Sequence, residues 1–195
     1  MDKKEYHLYD DIDSFTYNGE QLFQVKDFWK YHYSALVNSS GTISEFIVGR
    51  ALGVEYAINN IYWAAYDIFY RDKRIEVKST AYAHTWNNND VSKIRTFSIA
   101  PTRNSYWNAP KSPGEEWSRQ SEVYVFCLNT NKDLDNINPL CIDDWLFYVV
   151  PTSKIDAYAS PKQKTISLNV VKRLAGDAVE YMDLKAEVDR VIDLL

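Results

Sequence analysis

The sequence predicts an α/β fold, a mixed central β-sheet flanked by helices and built as a single domain. Three observations carry that expectation. Apolar residues recur at helical spacing towards both ends of the chain. The middle alternates in the manner of strands and opens on a hairpin pattern. A composition of 46% hydrophobic and 15% aromatic residues over 195 residues is enough for one sizeable core.

Residues 1–23 are polar and tyrosine-rich, with acids at Asp10, Asp11 and Asp13, and read as an irregular lead-in. From Val25 to Val37, the positions Val25, Phe28, Trp29, Tyr33, Leu36 and Val37 describe an amphipathic helix that Asn38-Ser39-Ser40-Gly41 ends. Thr42-Ile43-Ser44-Glu45 then has capping-box spacing, and Ile43, Phe46, Ile47, Ala51 and Leu52 continue a second helix with Glu45 in its first turn. Tyr66 to Tyr70 and Arg74 to Ala81 are strand-like, and the polar Arg71-Asp72-Lys73 between them makes a hairpin the natural expectation. Further strands are expected near 95–100, 122–129 and 144–150, which places the core at 42–150. The segment Pro101 to Gln120 reads as a long loop, and loops of that length in compact domains are usually functional or mobile. Residues 177–195 read as a closing helix.

Composition also excludes functions. The longest apolar run, Val123 to Leu128, is far short of the roughly 20 residues that span a bilayer, and the first residues have no signal-peptide apolar region. A cytoplasmic protein with no membrane partner is expected. Two cysteines, Cys127 and Cys141, supply neither a disulfide framework nor a multi-cysteine zinc site, and both read as small buried hydrophobes. A net charge of -5 and a pI near 5.2 argue against gripping nucleic acid through overall positive charge. A local basic groove is compatible with that balance, because a metal site itself gathers carboxylates.

The residues that carry chemistry lie in the hairpin. Positions two apart on a strand share a face, so Glu76 and Lys78 point together while Ile75 and Val77 point to the opposite layer. A hairpin turn can return Asp67 beside Glu76. Two converging carboxylates repel, and a divalent cation removes that cost. Mg²⁺, for which Mn²⁺ can substitute, takes hard oxygen ligands, and Asp67, Glu76 and the backbone carbonyl of Val77 suit it. Such an ion could polarise a scissile phosphodiester, with Lys78 orienting water or stabilising charge on phosphorus. An acid two residues before a lysine is a cheap pattern that occurs three times here, at Asp2, Glu76 and Asp183. Of these, Glu76 to Lys78 alone lies in a strand pattern preceded by another strand bearing an acid.

At these residues the chain resembles the PD-(D/E)xK nuclease superfamily, the restriction-endonuclease-like fold. Glu45 on a helix, Asp67 opening one strand, and Glu76 and Lys78 two apart on the next match its motif in order, with Tyr66 where the motif's name has proline. The resemblance implies a metal-dependent endonuclease acting on nucleic acid, DNA in the first instance, as a possible homodimer. The superfamily also holds inactive relatives, so a non-catalytic nucleic-acid-binding or interaction protein of the same fold is the alternative. A more distant third is an interaction protein that uses its aromatic surface.

Plainer readings stand beside these. Glu76 and Lys78 could form a solvated strand face with a cross-strand ion pair, and Glu45 could be only a helix cap. Arg103 and Arg119 are candidate phosphate contacts, against a surface loop pinned by Trp107 and Trp117. His84 keeps the parity of Glu76 but lies about 26 Å along a strand from it, and is at most a groove residue.

Overall fold

The computed structural model describes residues 9–33, 40–54, 66–83, 95–102, 117–133 and 137–195. The chain divides into two compact units, Met1–Ser39 and Ser40–Leu195, and the expected core at 42–150 lies in the second.

The smaller unit corrects the expected irregular lead-in. Strands β1 (Ser14–Tyr17) and β2 (Glu20–Gln24) pair antiparallel around Asn18-Gly19, whose φ angles are 51° and 83°. A two-residue turn with positive φ at both positions matches the strand twist, and Asn-Gly is the pair that adopts it most readily. Phe15 packs on Phe23 at 4.7 Å and edges onto Phe28 of helix α1 (Val25–Tyr33) at 6.3 Å. The final four residues of the helix expected over Val25–Val37 lie outside the described residues.

In the larger unit, helix α2 spans Ser40–Leu52 and so begins two residues before the expected cap. The capping box therefore does not form. Ser40 and Gly41 belong to the helix instead of ending the previous one, Glu45 falls in the second turn, and buried Ser44 donates its hydroxyl to Gly41 O at 2.7 Å. After the hairpin strands β3 (Ile68–Tyr70) and β4 (Lys73–Ala81) come β5 (Thr96–Ser98), β6 (Val123–Asn129) and β7 (Trp145–Pro151). Helix α3 (Thr152–Tyr158), strand β8 (Thr165–Ser167) and helices α4 (Leu168–Ala175) and α5 (Tyr181–Ile192) complete the unit. The closing helix is thus shorter than the expected 177–195, because Val179 first bridges to Phe147.

Among the described residues the main sheet has four strands in the order β3-β4-β6-β7, with β4 and β6 parallel and the other pairs antiparallel. The fold is mixed α/β, a mixed sheet flanked by helices. On one face Ile75, Val77, Val125, Cys127 and Phe147 pack with Ile47 and Val48 of α2 and Leu184 and Val188 of α5. On the other, Tyr124, Phe126, Leu128 and Tyr148 pack with Ile155, Val171 and the small β5-β8 sheet. β6 is buried at every position, as expected of a central strand. No helix among the described residues is long and apolar enough to cross a membrane.

Candidate active site

The hairpin turn sets the site. Tyr70 pairs with Lys73 and Ile68 with Ile75, so only Arg71 and Asp72 form the turn, with φ of 48° and 57°, and not the three residues expected. Arg71 is tied to α5 by Asp189 at 2.9 Å and Asp193 at 2.7 Å. This register carries Asp67 opposite Glu76, since the Asp67 N–H donates to Ile75 O at 3.1 Å. The Asp67 Oδ2 in turn accepts from the Val77 N–H at 2.7 Å. Backbone N–H and C=O groups of one strand residue face the same edge, so the Val77 carbonyl leaves β4 on the edge where Asp67 stands.

Lys78 joins the two acids. Its Nζ lies 2.6 Å from Glu76 Oε1 and 3.9 Å from Asp67 Oδ2. The three side chains are only 19–28% exposed, so water screens their charges poorly. Burial foremost pushes both carboxyls up; the Asp67 charge pushes Glu76 further, and the Lys78 ammonium opposes the rise in each. Burial works against the Lys78 ammonium, but the charges of Glu76 and Asp67 outweigh it and hold its pKa above the ordinary lysine value. Glu45 belongs to the same electrostatic unit: burial and then the Asp67 charge raise its carboxyl to about 7, with Glu76 adding and Lys78 opposing.

Three carboxylates therefore face one ammonium. If all ionise, the cluster carries an excess of two negative charges in a half-buried place. Hard oxygen donors and that excess fit a divalent cation, with Asp67, Glu76 and the Val77 carbonyl as its holders. As the side chains lie, no three acids, histidines or cysteines among the described residues are grouped to hold a metal. Lys78 pairs with both hairpin acids and takes the position a cation would compete for.

Two neighbours had no signal in the sequence. Ser121, 3% exposed, donates to Glu76 Oε2 at 3.3 Å, and Tyr124 stands directly across from Glu76 on β6. Burial and the Glu76 charge push the Tyr124 hydroxyl well above its ordinary value. Both arrive through the parallel β4–β6 pairing, which joins segments 45 or more residues apart.

Arg119 requires correction as a substrate contact. Its side chain is 3% exposed and donates to Ile99 O, to Asp156 at 2.6 Å and to Gln163 O, so it ties β5 to α3 and the chain before β8. Its donors are committed to acceptors within the protein. His84, Arg103 and Trp107 lie outside the described residues. Cys127 is fully buried, and burial together with the Asp67 and Glu45 charges pushes its thiol far up, which leaves it inert. No protein-family model matches the chain, and no curated protein or solved structure was found to be similar to it.

Proposed function

We propose that the chain is a divalent-metal-dependent nuclease that hydrolyses a phosphodiester, with DNA as the substrate. One observation carries this: Asp67, Glu76 and Lys78 converge on a single point, with Glu45 in electrostatic reach. The order of these residues along helix, strand and strand resembles the PD-(D/E)xK motif. Asp67, Glu76 and the Val77 carbonyl would hold the ion. Mg²⁺, or Mn²⁺ in its place, supplies Lewis acidity towards the phosphodiester and acidifies water. Lys78 is placed to donate to a phosphate oxygen or to orient the attacking water. Glu45, whose carboxyl titrates at about 7, can accept or release a proton at neutral pH.

The test is cleavage of plasmid and oligonucleotide DNA with Mg²⁺ or Mn²⁺ against a chelated control, using the parent and Glu76→Ala. Metal-dependent cleavage lost in Glu76→Ala supports the proposal; cleavage that survives indicates a contaminant. A second function is favoured by the Lys78–Glu76 pair, which partly neutralises the cluster without metal. This is a nucleic-acid-binding relative without turnover. A parent that binds nucleic acid yet neither cleaves it nor changes its melting temperature across millimolar Mg²⁺ and Mn²⁺ would favour this reading over hydrolysis.

A further inference from the structure

The strip of β4 that holds Glu76 and Lys78 continues through Thr80 to Tyr82, and at its far end the charge changes sign. Tyr82, one residue past the strand, still donates its N–H to Asn129 O at 3.1 Å and packs on the layer of Phe126 and Leu128. Arg95, just ahead of β5, lays its guanidinium 5.8 Å from the Tyr82 ring and donates to Tyr82 O at 2.6 Å. Lys132, beyond β6, brings its ammonium to 5.3 Å from the same ring. Arg95 is 8% exposed and its Nε has no acceptor. Among the described residues, neither cation has a carboxylate within ion-pair distance.

A buried guanidinium without a carboxylate is costly, and two like charges on one ring add to the cost. An anion beside the Tyr82 ring relieves that cost. We propose that Arg95, Lys132 and Tyr82 form a phosphate subsite that holds a nucleic-acid backbone phosphate away from the scissile one. This rests on the nuclease proposal for the acidic cluster. Lys78 to Tyr82 is about 13 Å along a strand, so the two ends of the strip are apart enough to meet different phosphates. A guanidinium and an ammonium together provide the directed donors and the point charge that a phosphate takes up. The arrangement also shows how a chain of net charge -5 can hold a polyanion, since cations need only be concentrated locally.

Binding of a labelled short DNA duplex to the full chain, followed by anisotropy across a salt series with chelator present, reads the subsite apart from metal and cleavage. Lys132→Ala and Arg95→Gln are each expected to weaken binding about tenfold, the scale of one charge-assisted hydrogen bond. Each should also flatten the slope of log K against log salt by about one. Parent-like affinity and slope in both variants would overturn the proposal. Inorganic phosphate, followed by thermal shift, separates the two phosphate sources. Variants that lose a phosphate-induced shift yet bind duplex like the parent would show a small-phosphate site and overturn the nucleic-acid assignment. If Arg95→Gln fails to fold, exposed Lys132→Ala decides by itself. Variant-sensitive duplex binding in a parent that never cleaves would leave the subsite standing and remove only the hydrolytic proposal.

Discussion

The two ends of the polar strip on β4 carry opposite charge excesses. Near the hairpin, three carboxylates crowd one ammonium. Past the strand's other end, two cations share the Tyr82 ring with no carboxylate among the described residues. The surface of α5 is organised differently. There Arg71 meets Asp189 and Asp193, Lys185 meets Asp189, and Arg190 meets Glu187, so each cation has its acid. Charge is paired beside α5 and unevenly shared at the two ends of the β4 strip. Sites held for function are where local rules of this kind tend to fail.

The largest expected effect tests the acidic end. Lys78→Ala should reduce cleavage by about 10²-fold or more, the scale for losing one electrostatic stabiliser, while the metal-dependent thermal shift survives. Glu76→Ala should lose both. Equal loss of the thermal shift in the two variants would assign Lys78 to the structure of the cluster and not to its chemistry.

Asp67→Asn sharpens the comparison through stability. The amide oxygen can still accept from the Val77 N–H, so the register is kept while one repelling charge is removed. The metal-free protein should gain about 1 kcal/mol in melting experiments and lose cleavage. A loss of stability would mean that the carboxylate charge is adequately compensated by Lys78.

The acidic end also predicts a pH trend. Glu45, Asp67 and Glu76 all have pKa values raised in the folded state, so ionising them costs more in the fold than in the unfolded chain. Their contribution to stability is fully present below the ordinary carboxyl value and is lost as pH rises through the folded value. For Glu45 that window runs from 4.5 to about 7. With chelator present, the melting temperature should fall across it, and Glu45→Gln should flatten the fall. A melting temperature that rises over the same window in the parent would break the account. The smallest effect belongs to the turn, where Asp72 holds a φ of 57°. Asp72→Gly should stabilise by about 0.5 kcal/mol and leave cleavage unchanged. Destabilisation would show that the Asp72 side chain supports the turn.

Local signals account for what was legible. The hairpin and the shared face of Glu76 and Lys78 follow from period-two alternation, and the strands expected near 122–129 and 144–150 follow from short apolar runs, found at 123–129 and 145–151. The N-terminal hairpin was equally legible, because Asn18-Gly19 sits between two strand-like runs, yet acidic and tyrosine-rich flanks masked it. The capping box at Thr42 was a true pattern without its structure: the helix began earlier, and Ser44 turned to Gly41 O. β8, α3 and α4 were not anticipated from periodicity, being elements of three to eight residues.

By itself the sequence determined that Asp67, Glu76 and Lys78 would meet. Side chains alternate along a strand, and a short turn reverses the chain within a few residues, so both constraints act over a dozen positions. Tertiary structure alone decided what surrounds them. Parallel pairing of β4 with β6 brought Ser121 and Tyr124 to Glu76, and packing of α2 brought the Glu45 charge into range. The same pairing put Lys132 beside Tyr82, and the approach of β5 put Arg95 there. Parallel pairs have no turn to announce them, and a cation's missing partner is a property of burial, which no local pattern of residues encodes.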